Sequence, residues 1–119
     1  LSSITTPSTV TEIRREAFYN CSSLREVVFN DGLQKIGGCA FYDCRSLESI
    51  TLPSTVTEIG SSAFINCKQL REVVFNDGLQ KIGKYEFYNC TSLSSITLPS
   101  TVTEVEQYAF NDFSLLIRY

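Results

Sequence analysis

The chain has 119 residues, 43% of them hydrophobic and 19% charged, a composition that excludes a disordered chain and fits one ordinary folded domain. Its formal charge of -3, with the basic residues scattered, excludes a nucleic-acid footprint or an attraction to anionic membrane, and no run of about 18 apolar residues is present to span a bilayer. Histidine is absent, which removes the commonest general base and metal ligand and every Cys-His or Ser-His nucleophile pair, so no catalysis and no cofactor are expected.

Leu1, Leu24, Leu47, Leu70, Leu93 and Leu116 stand 23 residues apart, and the same apolar offsets recur behind the first five. The chain therefore divides into coils 1–23, 24–46, 47–69, 70–92 and 93–115, with a sixth beginning at 116–119. It opens at Leu1 without a basic or apolar leader and contains no Met, which is expected of a processed chain or a fragment of a longer one.

Within a coil, Ile50 and Leu52 around Thr51 have period two and are rich in β-branched character, so this segment reads as a short strand. Pro53, or Asn30-Asp31-Gly32 in the neighbouring coil, then turns the chain. A second short strand follows at Val56-Thr57-Glu58-Ile59, and the Ala-Phe-x-x-Cys segment is expected as a tight helical or 3₁₀ turn. One coil cannot bury Val27, Phe29, Leu33, Ile36, Ala40, Phe41 and Cys44 alone, but stacked coils share a continuous core. Like strands should pair in parallel at about 4.8 Å, making a rod of about 24 Å for five coils. The expected fold class is a β-rich, α/β-type solenoid, a right-handed coil of parallel strands.

The unit LxxIxLPxTVTEIxxxAFxxCxx resembles the BspA-like, Treponema-type leucine-rich repeat over essentially the whole chain. That resemblance implies a strand-lined concave face, a role in surface or adhesion proteins or in eukaryotic relatives of unassigned role, and no catalysis. A cell-surface or secreted location follows from it, while free thiols would suit an intracellular or organellar one. Three residues depart from the pattern: Thr6 for the strand leucine, Glu86 for the alanine and Phe113 for the cysteine. Glu86 is expected at a coil edge or facing a neighbour.

A longer period overlies the first. Leu24 to Gly37 is identical to Leu70 to Gly83, and Ser49 to Glu58 to Ser95 to Glu104, so the sequence repeats every two coils. Glu12, Lys35, Glu58, Lys81 and Glu104 alternate in sign along one column, and Arg25, Glu48 and Arg71 along another. Opposite charges on adjacent strands attract, whereas like charges would repel. These rows are read as holding the coils in register, with contact to a ligand as the alternative.

Cys21, Cys44, Cys67 and Cys90 form a column too long for four sulfurs to converge on one metal ion, since about 4.8 Å per step spans about 14 Å. Buried free thiols are expected, with a disulfide between neighbours as the alternative. Cys39, outside the column, is the candidate reactive thiol. Asn20-Cys21-Ser22 and Asn89-Cys90-Thr91 match the glycosylation pattern, but both asparagines sit at the repeat's turn, where Asn has a structural use.

Candidate partner-binding residues lie on two surfaces. The outward strand positions offer Glu26, Val28, Thr51, Glu72 and Val74, rimmed by Arg25, Glu48 and Arg71. Tyr85, Tyr88 and Tyr108 form an aromatic alternative, equally explained as packing. Leu116, Ile117 and Tyr119 are expected to pack against more chain, a second copy or another subunit, because no polar cap closes the stack. The function expected is a non-catalytic protein–protein interaction module, or alternatively a structural spacer or accessory subunit of a larger assembly.

Overall fold

The computed structural model describes residues 2–110 and, as backbone, the strand Leu116–Arg118. Each coil supplies two short strands. In chain order they are β1 (Ser3–Thr5), β2 (Glu12–Ile13), β3 (Glu26–Val28), β4 (Lys35–Ile36), β5 (Ser49–Thr51), β6 (Glu58–Ile59), β7 (Glu72–Val74), β8 (Lys81–Ile82), β9 (Ser95–Thr97), β10 (Glu104–Val105) and β11 (Leu116–Arg118). All pairing is parallel, and from β1 to β10 the register is one coil of 23 residues, as in Ile4↔Val27, Ile50↔Val73 and Ile13↔Ile36↔Ile59. β11 pairs with β9 two residues short of that, Leu116 opposite Ser95, so Leu116 does not continue the opening-leucine column of Leu93. The odd-numbered strands line one side of the solenoid and the even-numbered strands a second.

Between the strands runs a continuous apolar core. The central residue of each fully paired strand points inward, so Val27, Ile50, Val73 and Ile96 are buried while their flanking neighbours largely face outward. Phe18, Phe41, Phe64, Phe87 and Phe110 stack through the coils with ring centroids 5.2 to 5.5 Å apart and planes within 15° of parallel. Phe29 and Phe75 meet Phe41 and Phe87 edge-on.

The Ala-Phe-x-x-Cys side is not the helical or 3₁₀ turn that its pattern implies: no helix occurs among the described residues. The hydrogen bonding gives the reason. The amides of Ala40, Tyr42 and Cys44 close turns onto Gly37, Cys39 and Phe41 three residues back, but the intervening amides of Phe41 and Asp43 donate to Ala63 and Ile65 of the next coil. Every second amide is thus given to a neighbour, which a helix cannot do. Left-handed residues at Glu16, Cys39, Ser62, Tyr85 and Tyr108, and again at Asn20, Asp43, Asn66 and Asn89, turn those groups outward. The two Asn of the glycosylation pattern belong to this backbone column.

Close approach of the coils depends on Gly37 and Gly60. A Cβ on Gly37 would lie 2.4 Å from the Arg15 nitrogen, and one on Gly60 2.3 Å from the Gly38 nitrogen. The two-coil period also has a hydrogen-bonding cause. Thr55 donates to Leu33 O at 2.6 Å and accepts from Gly32 N, and Thr101 does the same for Leu79 and Gly78, so a threonine of each odd coil clasps the Asn-Asp-Gly turn before it. Asn30 and Asn76 complete those turns by donating to Val10 O and Val56 O. The Thr6 departure fits here: its hydroxyl donates to Asn30 Oδ1 at 2.7 Å, whereas Leu52 stands in the same place before Asn76, whose buried Oδ1 has no partner.

Glu86 is not at a coil edge; it faces the neighbouring coil, with the Ala63 amide among the groups near its carboxyl. It is fully buried in the alanine column, and neither carboxyl oxygen has a hydrogen-bond partner. Around it the even-strand sheet is interrupted: β2, β4 and β6 form one sheet and β8 and β10 another, with no pairing between β6 and β8. Gly37 and Gly60 donate to Ile13 O and Ile36 O, but the equivalent bond from Gly83 to Ile59 is missing, as is the turn bond from Ala63 to Gly60. A carboxyl group where the other coils hold a methyl has separated the two coils.

Candidate functional site

The odd-strand face carries the outward residues that the sequence marks. Ser3, Thr5, Glu26, Val28, Thr51, Glu72, Val74, Ser95 and Thr97 are exposed, and Val28 and Val74 leave 48% and 44% of their surface in solvent although both are aliphatic. Valine favours the extended backbone of a strand, and here its side chain also adds apolar surface to an otherwise polar face.

This face is not uniformly closed. Where an odd coil precedes an even one, pairing is complete: β1 with β3 and β5 with β7 each match three residues, and the amides of Thr6 and Leu52 donate to Val28 O and Val74 O at 3.0 Å. Where an even coil precedes an odd one, the ladder opens. Only Glu26↔Ser49 joins β3 to β5, nothing joins β7 to β9, and the corresponding bonds from the amides of Phe29 and Phe75 do not form. Each opening holds a cleft.

The cleft at β3 and β5, about 320 Å³, is lined by Glu26, Val28, Phe29, Asp31, Thr51 and Pro53 among others. The cleft at β7 and β9, about 460 Å³, is lined by Glu72, Val74, Phe75, Asp77, Thr97 and Pro99 together with Arg71 and Ser95. Each residue of the first set recurs 46 positions later in the second. The structure thus brings together Glu26, Val28 and Thr51 in one cleft and Arg71, Glu72 and Val74 in the other. Arg25 and Glu48 are exposed nearby, and Arg71 Nη2 lies 3.6 Å from Glu48 Oε1. Sequence reasoning missed Phe29, Asp31 and Pro53 and their counterparts Phe75, Asp77 and Pro99 as site residues, although the two-coil period names them once the first cleft is known.

The tyrosines are elsewhere, on the turn side of the coils. Tyr85 stacks on Tyr108 at 5.5 Å and meets Tyr88 edge-on at 5.4 Å, with Lys84 Nζ 5.6 Å from the Tyr85 ring. Tyr108 is half exposed, whereas Tyr85 and Tyr88 are partly buried. Tyr19 and Tyr42, which share the column of Tyr88 and not that of Tyr85 and Tyr108, stack at 4.8 Å, so coil packing uses that column. The side chains of Leu116 and Ile117, and all of Phe113 and Tyr119, lie outside the described residues; the Leu116–Arg118 backbone pairs in parallel with Ser95–Thr97.

Of the charge column, Lys35 sits between Glu12 and Glu58 in register and bridges Glu58 at 3.6 Å. Lys81 keeps its place in the alternating column, near both Glu58 and Glu104. It pairs in register with Glu104 but makes its ion pair with Glu106, at 2.6 Å, a contact that raises its pKa. Glu106 occupies the place of the close-approach glycines, and its carboxylate reaches the ammonium first.

All five cysteines are free, and the column packs as a ladder in which Cys44, Cys67 and Cys90 donate to the Phe18, Phe41 and Phe64 carbonyls at 3.1 to 3.3 Å. Burial pushes the Cys44 thiol up to about 12; the Cys67 thiol is also raised, by its bond with Cys90 and by burial. All three thiols are buried in the core, where they serve as packing groups.

A family model of the BspA type leucine rich repeat region matches residues 1–116 in six copies. The chain belongs to the BspA-type leucine-rich repeat family. Among solved structures it is similar to the leucine-rich repeat protein of T. pallidum, at 38% identity and a TM-score of 0.80 over 84% of this chain and 47% of that one. It is also similar to the pneumococcal vaccine antigen PcpA, at 31% identity and 0.83 over 98% and 29%, and to a leucine-rich repeat protein of Bacteroides ovatus, at 30% and 0.73 over 100% and 37%. This BspA-type chain therefore spans less than half the length of each of these proteins. A comparison with curated protein sequences found no significant match. Among the described residues no helix is long and apolar enough to cross a membrane.

Proposed function

We propose that the chain is a non-catalytic recognition module that holds a protein partner on its odd-strand face. The observation that carries this reading is the repeated cleft: two equivalent openings of the ladder, each combining an exposed valine with carboxylates, hydroxyls and unpaired main-chain groups. Solenoids normally bind on such extended faces, and membership of a family of leucine-rich repeats supports it. A location at the cell surface or in secretion fits the same reading, since one similar protein is a vaccine antigen.

The test is selection of binders from a displayed random-peptide library on the intact chain. Selected clones are expected to lose binding to a Val28→Glu/Val74→Glu variant and to keep it on Tyr85→Ser/Tyr108→Ser. Binders that follow the tyrosines instead would move the site to the turn side.

One observation favours a second reading, a spacer within a longer assembly. The open side of the first coil is an apolar hollow of about 390 Å³ lined by Ile4, Val10, Ile13, Ala17 and Phe18, the kind of surface on which another coil, a second copy or a subunit stacks. Sedimentation of the 119-residue chain tests it: association that Phe18→Lys abolishes supports stacking, and a monomer at high concentration rejects it.

A further inference from the structure

The two clefts share eight equivalent lining residues and a fixed separation, and this sets what can fill both at once; the second is lined in addition by Arg71, whose guanidinium lies 3.6 Å from the Glu48 carboxylate. Glu26 and Asp31 in the first, and Glu72 and Asp77 in the second, have no ion-pair partner among the described residues. Beside them lie the outward-facing Val28 and Val74, and the Thr51 and Thr97 carbonyls, the acceptors that the Phe29 and Phe75 amides would reach in a closed ladder. A lysine or arginine side chain matches each part: its aliphatic stem lies along the valine, and its head donates to the carboxylates and the free carbonyl. An anionic or purely apolar ligand would leave those carboxylates desolvated and unpaired.

The clefts are two coils apart, about 9.6 Å at strand spacing. In polyproline II conformation residues i and i+3 lie on one face and are about 9.3 Å apart, whereas in a β-strand i and i+3 point to opposite faces. We propose that this face binds an extended basic peptide in polyproline II conformation, running along the solenoid axis, with lysine or arginine at every third position seated in successive clefts. This inference rests on the strand-face reading of the function and names its partner. Because both clefts are engaged by one ligand, the second contact is intramolecular and strengthens the first.

Fluorescence anisotropy at low salt with two labelled twelve-residue proline-rich peptides tests it. Both carry two lysines, separated by two prolines in one and adjacent in the other, so their charge is equal. The spaced peptide is expected to bind at least about tenfold more tightly. E26Q/D31N and E72Q/D77N, each checked for an unchanged melting curve, should each reduce the spaced peptide to the level of the adjacent one. Equal affinity for both spacings, indifference to either cleft variant, or no binding by either peptide would overturn the inference. The library selection separates the two ideas: strand-face binders without basic residues at three-residue spacing refute this partner but leave the face as the site, and an absence of strand-face binders refutes both.

Discussion

Replacing Glu86 by alanine restores the residue that the same column holds at Ala40, Ala63 and Ala109, and it should stabilise the chain. The starting state is unfavourable in two ways. Both carboxyl oxygens are buried without hydrogen bonds, and the Gly83 and Ala63 amides have lost the carbonyls that their counterparts use. Burial raises the Glu86 pKa well above the ordinary carboxylate range; the nearby Ala63 and Gly83 amides favour the anion, but without making hydrogen bonds, and Glu106 opposes it. Because the folded chain holds this proton more tightly than the unfolded chain, where Glu titrates near about 4.3, the stability the group permits is complete in acid and is lost as pH rises from there toward the raised value. A buried unsatisfied polar group costs about 1 to 3 kcal/mol. Removing it, with Gly83 free to donate to Ile59, should gain about that much at pH 7. Each kcal/mol corresponds to about 3 to 6 °C in melting temperature for a chain of this size. Thermal melts of the wild type, E86A and E86Q at pH 5 and pH 7.5 provide the assay. The wild type should lose stability between the two values, E86A should exceed it most at the higher pH, and E86Q should show no such slope. An E86A variant less stable than wild type at pH 7.5, or with the same pH slope, would refute this account of the separated coils.

Other expectations follow from the packing. Phe64→Ala removes the central ring of the stack and should cost about 3 to 5 kcal/mol; an unchanged melting temperature would show that the ring carries no packing energy. Lys35→Glu with Lys81→Glu places five glutamates in one column and should destabilise the chain most at low ionic strength, so a salt-independent loss would mean the charges do not act on each other. Native thiol titration near neutral pH should label Cys21 and Cys39, which are partly exposed, well before Cys44, Cys67 and Cys90; equal labelling rates would contradict the buried ladder.

The columns of leucine, isoleucine and phenylalanine were legible because one register serves β1 to β10, so period two within a strand and period 23 between strands coincide at residues such as Ile50 and Val73; at β11 the offset falls to 21, which the spacing of Leu116 from Leu93 does not announce. The turn side was misread because its left-handed residues include Glu16, Cys39, Ser62 and Tyr85, none of which announces a positive φ as glycine does. The site was half legible. Val28 and Val74 stand out as aliphatic residues at outward positions, but the clefts depend on whether Phe29 reaches Thr51 as Thr6 reaches Val28. That is a matter of coil separation, which no residue type encodes. Glu86 could be seen as a departure from the repeat, while its effect on the β6 and β8 ladder appears only in three dimensions.

Amide chemical-shift mapping of the isotope-labelled chain with a library-selected peptide tests the central claim most directly. Binding on the odd-strand face predicts the largest shifts at the unpaired amides of Phe29 and Phe75 and at Val28 and Val74, in both clefts at the same peptide concentration. Shifts centred on Tyr85 and Tyr108, with Phe29 and Phe75 unmoved, would contradict it.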